Sequence, residues 1–389
     1  AWAKPGTSTA KDMHNEGGRP FCFPGTVPEY EDVVPDFDRI NPDYFRFLDR
    51  KIDFLNDEGF FPFMEVARRD VSQVWQRYGR WPESYARYIQ YVFCRYQANN
   101  CLLSPIHFDY DGYSIPSRAY NEPANLLLDT WGAPPFGTLL GTNSAPSSLV
   151  NFGGPDEARW LTFHQLGNWR EHDNYWYLTQ IHNADHPLPG VNGEPYYPGF
   201  PGDNPPAASE DAELNCRSGL YGGFLSGGFA GYLYGAEGLW GGDIDPAAKY
   251  TMWDALGFRS GDQIRHLVTF ADAAELDSYG KLVPDDALIT PNRSGAPLGY
   301  RGWAFCARTS DRNTMLCYFE KECPQATIRG VVPEGAYELT WFDPVRGTWS
   351  EETLSLQADR VGRLTLPEYP SRLDNALRLR YRHIEKLQY

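Results

Sequence analysis

Residues 41–66 read NPDYFRFLDRKIDFLNDEGFFPFMEV, and the pattern of this stretch recurs along the chain. A capping Asn41, a proline at the first helical position and the closing Gly59 predict a helix. The apolar residues inside it recur every three or four positions, so they form one face. The apolar run at 60–66 then predicts a buried strand. The stretch is therefore half of a helix–strand repeat.

The same alternation continues to about residue 285. Strands are predicted at 102–108, 136–140, 160–165, 191–194 and from 232 onward, and helices at 82–97, 119–129, 174–183, 217–232 and 261–272. Alternation of this kind predicts a parallel sheet, either doubly wound or closed as a (β/α) barrel. Since no GxGxxG and no GxxxxGK[ST] occurs, the nucleotide-binding versions of such sheets lose support.

Beyond residue 285 the pattern changes to short β-rich runs separated by turn residues. These runs lie at 303–308, 315–320, 326–331, 337–343, 348–353, 362–366 and 376–381. We therefore expect residues 286–389 to form an antiparallel β-sandwich domain. Residues 1–43, which are rich in proline and show no periodicity, predict a long irregular loop.

The charge and composition exclude several classes of protein. With 35 Lys+Arg against 51 Asp+Glu, the 389-residue chain carries a net charge of −16. Nucleic-acid and polybasic membrane-surface partners normally need the opposite balance, so we expect neither. No run approaches the ~18 apolar residues that span a membrane. The 15% aromatic content fits an enzyme that handles ring-shaped neutral ligands such as sugars.

The seven cysteines give neither a disulfide scaffold nor a zinc site, because their number is odd and no CxxC pair occurs. Cys306, Cys317 and Cys323 lie close together in the sequence and leave one or two bridges open. One glycosylation sequon begins at Asn292. The first residues contain no apolar signal segment, so we expect any signal peptide to have been removed or to lie outside this sequence.

Acidic residues follow three of the predicted strands. Glu65 ends one strand, His107, Asp109 and Asp111 end a second at alternate positions, and Glu194 ends a third. In a barrel, catalytic groups lie at such strand ends. Cleavage of a glycosidic bond needs one protonated and one ionised carboxyl group on opposite sides of the bond. An Asp and a Glu from two strand ends would supply that pair.

A metal-dependent hydrolase is a weaker alternative. His107, Asp109 and Asp111 would share one face of an extended strand, and His164 is available at another strand end. His164 is also interpreted as a hydrogen-bonding contact to substrate or as a buried core histidine. No GxSxG motif occurs, which argues against an acyl hydrolase with a serine nucleophile. We expect no cofactor and no metal.

Three motifs resemble the apiosidase-like glycoside hydrolase family. They are the NPDYF run at 41–45 with its following strand, Gly193-Glu194-Pro195 with Tyr197, and the small-residue block at 219–240 that contains GGFAGYLYG and ends in GLW. The resemblance spans about residues 35–380 in the right order. It implies a (β/α)8 barrel of the TIM type followed by a C-terminal β-sandwich.

The resemblance also implies roles for individual residues. By position, Asp109 is the acid/base and Glu194 the nucleophile of a retaining glycosidase. The family usually has Gly-Gly-Asp where this chain has His107-Phe108-Asp109, so Asp111 stays a rival proton donor. Further substrate contacts are expected from the following side chains: His107, Asp111, Asn143, His164, Tyr197 and Trp240. A catalytically silent carbohydrate-binding or assembly protein on the same scaffold is the alternative.

Strand counting in the light of this resemblance gives six barrel strands rather than eight. Residues 1–285 would then begin in the loop after the second strand. We expect an upstream segment or a companion chain to supply the first two strands, since open sheet edges promote aggregation. A carbohydrate substrate and an extracellular or periplasmic location are expected, and the sequence leaves a homo-oligomer open.

Overall fold

The computed structural model of the chain describes residues 15–27, 30–67, 69, 80–109, 115–200, 205–240, 242–272 and 281–382. The chain forms two compact units, residues 1–167 and 168–389. Each unit combines helices with strands, and each is described on its own below.

The first unit contains an antiparallel ribbon of two strands, β1 (Phe21–Val27) and β2 (Tyr30–Ile40). The expected irregular loop over residues 1–43 is therefore wrong for these strands, while residues 1–14 lie outside the described residues. The pairing register shifts at three places along β1. Pro24 lies in this strand and has no N–H to donate. Such shifts let a proline-rich segment pair, which is why proline content alone predicted a loop.

The helix predicted after Asn41 is confirmed as Pro42–Asp57. The Asn41 side chain accepts a hydrogen bond of 3.1 Å from the backbone N of Asp43 and so satisfies one free N–H of the first turn. Phe45 and Ile52 are buried, as the periodicity predicted. Local signals at both ends and one apolar face were enough to define this element.

Two parallel strands form the part of this unit that positions the candidate site. They are β3 (Phe63–Glu65) and β4 (Leu102–Ser104), and the helix Glu83–Tyr96 connects them in a β–α–β unit. The strand expected at 136–140 is reduced to one parallel bridge, from Leu140 to Leu103. The positive φ of Gly137, 70°, turns the chain just before it. This unit also contains the 3-10 helix Ser117–Tyr120, the helices Asn121–Trp131 and Ser148–Phe152 and the strand β5 (His164–Leu166).

The second unit contains another parallel pair, β6 (Gly190–Asn192) and β7 (Gly231–Tyr232). The glycine-rich helix expected at 217–232 begins earlier and ends sooner. It consists of the helix Glu210–Arg217, a π-helical turn Ser218–Gly222 and the short helix Gly223–Leu225. Gly227, whose φ is 115°, turns the chain after it. The helix expected at 261–272 is split into Arg259–Gln263 and His266–Asp272, and further helices are Trp176–His182 and Met252–Leu256.

The antiparallel C-terminal region is confirmed and contains two sheets. The larger has the strand order β14 (Thr348–Gln357), β13 (Ala336–Asp343), β16 (Asn375–Tyr381), β11 (Thr314–Phe319), β10 (Ala304–Thr309) and β8 (Leu282–Pro284). The smaller has the order β15 (Arg363–Thr365), β12 (Thr327–Arg329) and β9 (Ile289–Thr290). Side chains of both sheets, such as Ile328 and Leu377, belong to one buried core.

The fold is thus a mixed α/β fold with an antiparallel C-terminal part. Closure of a barrel, the source of its first two strands and the domain boundary after residue 285 stay predictions. In the part of the chain that the structure describes, no helix has the length and apolar character to span a membrane. Cys306, Cys317 and Cys323 are free thiols.

Candidate active site

Acidic and basic side chains meet where β3 and β4 end. Glu65 is the last residue of β3, and His107 and Asp109 follow β4. Backbone hydrogen bonds extend the parallel pairing beyond the strands, from the N of His107 to the O of Ala67 at 2.8 Å and from the N of Arg69 to the O of His107 at 3.1 Å. These side chains therefore lie at the carboxyl edge of the sheet, where α/β enzymes carry their active sites.

His107 lies between two carboxylates. Its Nδ1 contacts Oε2 of Glu65, and its Nε2 lies 3.2 Å from Oδ1 of Asp109. Asp109 also accepts a hydrogen bond from Nη1 of Arg69, whose side chain is 6% exposed. One guanidinium and one imidazole thus face two carboxylates in a place with little solvent, where unpaired charge is costly.

Asn143 joins this cluster through its backbone. Its carbonyl accepts a hydrogen bond of 3.0 Å from the N of Phe108, and its own N lies 3.4 Å from Oε1 of Glu65. A parallel bridge from Phe108 to Ser144 holds the segment in place. The predicted residue Asn143 is therefore next to the acidic cluster.

His164, at the start of β5, is buried beside a serine. The Ser148 hydroxyl accepts a hydrogen bond of 2.9 Å from the N of Gln165, so its hydrogen is available for Nδ1 of His164, which lies 2.9 Å away. Burial lowers the pKa of His164 to about 4. The imidazole is therefore neutral near pH 7.

The second unit holds Glu194 two residues after β6. Glu194 is 7% exposed, and its Oε1 accepts a hydrogen bond of 3.0 Å from Nη2 of Arg170. Counting side-chain atoms alone, Arg170 is 13% exposed and Glu194 is 9% exposed, so both side chains are largely shielded from solvent. The pair thus places an arginine charge against a nearly buried carboxylate at the carboxyl end of a parallel strand.

Aromatic rings enclose this pair. The Arg170 guanidinium carbon lies 4.5 Å from the ring centre of Tyr197 and 4.3 Å from that of Phe200. The Trp240 ring meets Phe200 edge-on, at 6.0 Å between centres, and Trp240 is 64% exposed. A β-carbon at Gly235 would lie 2.5 Å from the Tyr197 ring, so only glycine leaves room for that ring.

Each predicted site residue can now be located. His107, Asp109 and Asn143 lie together in the first unit, whereas His164 is buried on Ser148. Glu194, Tyr197 and Trp240 lie in the second unit, on or next to the Arg170 cluster. Asp111 lies outside the described residues, so its rivalry with Asp109 stays a prediction.

Two arginines at these clusters escaped the sequence reasoning, and Glu65 was noted only as a strand-end acid. Arg69 meets an aspartate 40 positions further along, and Arg170 meets a glutamate 24 positions further along. Neither arginine belongs to a local motif. A search for basic residues in the loops next to each strand-end acid would have been the way to predict them from the sequence.

The described residues contain no group of three or more His, Cys, Asp or Glu side chains arranged to hold a metal ion. His107 and Asp109 are in contact, but the third residue of the proposed ligand set, Asp111, lies outside these residues. The metal-site interpretation therefore gains no geometric support from them.

Comparisons with known proteins give a family match and several similar folds. Residues 11–277 match the family described as Apiosidase-like, catalytic domain. A solved structure described as a glycoside hydrolase matches with a TM-score of 0.64 and 16% identity over 87% of this chain and 77% of that one. A glycoside hydrolase family 5 protein from Bacteroides vulgatus gives 0.63 and 17% over 87% and 74%. No curated protein matches the sequence. At these identities the structural matches indicate a shared fold.

Proposed function

The chain belongs to the apiosidase-like family of catalytic domains, and from that premise we propose that it hydrolyses a glycosidic bond in a poly- or oligosaccharide with two carboxylates and retention of configuration. Glu194 attacks the anomeric carbon. Asp109 protonates the leaving oxygen and then takes a proton from the water that releases the sugar. Retention follows because the anomeric carbon is substituted twice, and each substitution inverts its configuration.

The observation that carries this proposal is the environment of Glu194. An attacking carboxylate must be held in one orientation, and a charge-assisted hydrogen bond from Arg170 provides that restraint. Tyr197 and Phe200 fix the guanidinium, so the carboxylate has a preorganised partner.

Asp109 is held between two basic side chains. Its contacts to His107 and Arg69 fix the carboxyl group at the sheet edge. A general acid must carry a proton, whereas a neighbouring guanidinium favours the ionised form. The D109N variant tests this role.

Trp240 and Tyr197 are proposed to contact the sugar. The exposed indole of Trp240 offers a flat apolar face to the C–H groups of a sugar ring, as expected for an aromatic side chain that serves a ligand. The net charge of −16 favours neutral over anionic chains as substrate. Apiose-containing glycosides are one natural arm of a substrate screen because of the family's name.

Two isosteric variants test the proposal. The protein is screened against plant, algal and microbial polysaccharides, apiosides and aryl glycosides, and the best substrate is then given to E194Q and D109N. We expect both variants to fold and to lose at least 10³-fold in kcat. E351Q removes an exposed carboxylate of β14 and serves as the matched control. Wild-type turnover by E194Q would refute the assignment.

The stereochemistry of the first product distinguishes a retaining from an inverting mechanism. NMR of a fresh reaction should show the anomer of the substrate, and azide added to E194G should restore turnover and give a glycosyl azide of opposite configuration. An inverted first product from the wild-type protein would overturn the nucleophile role. The absence of hydrolysis across the whole panel would favour a silent binding protein.

A further inference from the structure

Two buried cysteines face each other across β10 and β11. Cys306 is the direct partner of Cys317 in the antiparallel register. Both residues are 0% exposed and both belong to the core that the two C-terminal sheets share. Residues directly opposite in an antiparallel pair point to the same face of the sheet, so the two thiols lie side by side.

The hydrogen bonds of Cys306 show which kind of opposed pair this is. Its backbone N donates to Oδ1 of Asp286 at 2.8 Å, and its carbonyl accepts from the N of Asp285 at 2.8 Å. The N–H and C=O of one strand residue point to the same side, and here that side is away from β11. The pair is therefore a non-hydrogen-bonded one, in which the two Cα atoms lie about 4.5 Å apart.

That spacing suits a disulfide. Bridged cysteines have Cα separations of about 4.4–6.8 Å, so a non-hydrogen-bonded pair needs little backbone movement to be bridged. Cys323 belongs to the same core but lies outside the two strands, and its Sγ is 4.0 Å from the hydroxyl of Tyr369. Strand register selects the other two cysteines.

We propose that Cys306 and Cys317 form a cross-strand disulfide when the chain folds in the presence of a small-molecule disulfide such as oxidised glutathione. One thiolate attacks the glutathione S–S bond, releases one glutathione thiolate and gives a mixed disulfide. The thiolate of the second cysteine then attacks the cysteine sulfur of this mixed disulfide and releases the second glutathione thiolate. The two cysteines lose two electrons and two protons, and two reduced glutathiones form.

The burial of the two cysteines decides when the disulfide can form. The hydrogen-bonded Cys317 thiol and burial both raise the pKa of the Cys306 thiol, so Cys306 holds little thiolate in the folded protein. Exchange also needs access of glutathione to the sulfurs. We therefore expect the bond to form during folding rather than after it, and to resist reduction once the core has closed.

The test is to unfold the full chain and refold it with either a glutathione redox buffer or excess reductant. The glutathione sample should weigh about 2 Da less, show five rather than seven alkylatable cysteines in denaturant, and yield one peptide pair linked through Cys306 and Cys317. Its thermal midpoint should lie about 5–10 °C above that of the reduced sample. Seven alkylatable cysteines, or a bridge that uses Cys323, would overturn the proposal.

Serine variants provide matched controls. C306S and C317S should each lose the mass difference and the redox dependence of the thermal midpoint. C216S changes a buried cysteine outside this core and should keep both. Should a core variant fail to fold, the alkylation count on the wild-type chain still decides the matter, because it needs no substitution.

Discussion

Arg170 donates a hydrogen bond of 3.0 Å to Glu194 while its guanidinium lies over two aromatic rings. The rings of Tyr197 and Phe200 fix the position of the Arg170 guanidinium, and with it the position from which the hydrogen bond to Glu194 is made. A lysine would bring the charge without the planar group that stacks on the rings. The contact therefore depends on arginine in particular.

Replacement of Arg170 should impair the reaction more than it impairs the fold. R170M leaves Glu194 without its charged partner, and we expect kcat/KM to fall by about 10²-fold, the equivalent of one charge-assisted hydrogen bond. R170K should recover only part of this loss. Steady-state kinetics on the substrate that E194Q fails to turn over gives the measurement.

An exposed arginine is the control for this series. Arg346 has a side chain that is 81% exposed, so R346M should leave both kinetics and stability unchanged. Equal activity of R170M and R346M would show that the Arg170 contact plays no part in the reaction, even if Glu194 does.

Trp240 should affect binding rather than turnover. Loss of the exposed ring in W240A should raise KM about 3- to 10-fold with kcat nearly unchanged, since stacking on the sugar is present before and during the reaction. W240F should lie between. Because Trp240 is 64% exposed, the thermal midpoints of W240A and W240F should equal that of the wild-type protein. W131A, at a tryptophan 44% exposed in the first unit, is the control, and an unchanged KM in W240A would contradict the prediction.

The elements that sequence predicted well are those with local signals. The helix Pro42–Asp57 has a side-chain cap and one apolar face, and both can be read within 20 residues. The parallel strands are only two or three residues long and depend on partners far away, so the extended segment at 136–140 became a single bridge. Strand pairing at that length is decided by neighbours rather than by propensity.

The site divides in the same way. Asp109 and Glu194 were predicted from their strand-end positions and from the family resemblance, and their roles stay predictions. Arg69 and Arg170 were not, because each is defined by a side-chain contact between distant loops. Such contacts are set by packing around the acid, and packing is the part of a fold that a single sequence does not display.

His164 should make the stability of the protein depend on pH. Its pKa is lowered by burial from 6.5 to about 4, whereas the unfolded chain titrates at its ordinary value. The unfolded state therefore binds more protons between these values, and stability that is fully present above pH 6.5 is lost as the pH falls toward 4. The loss amounts to about 3 kcal/mol for this residue.

A pair of asparagine variants isolates this effect. H164N keeps an acceptor for the Ser148 hydroxyl but cannot be protonated, so its stability deficit at pH 7.5 should shrink as the pH is lowered to 5. H186N changes an exposed histidine and should follow the wild-type curve. Urea unfolding from pH 5 to 7.5 gives the comparison, and parallel curves for wild type and H164N would contradict it.

We expect the buried pair of His172 and Glu320 to contribute strongly to the stability of the second unit. Nδ1 of His172 lies 3.0 Å from both carboxylate oxygens of Glu320, and its Nε2 lies 2.7 Å from the carbonyl of Ala296. The imidazole also stacks on Trp303 at 3.9 Å, and the Ser218 hydroxyl donates to the carboxylate at 2.6 Å. Every polar atom of the imidazole thus has a partner in a place that solvent does not reach.

Removal of either member should cost about 3–5 kcal/mol, because the other is left buried without its partner. H172Q, E320Q and the double variant form a cycle in urea unfolding, and we expect the double variant to be more stable than the sum of the two losses predicts. R346Q breaks the exposed pair with Asp343 and should cost less than about 1 kcal/mol. Strict additivity would mean that His172 and Glu320 stabilise the unit independently, through Trp303 and Ser218 rather than through each other.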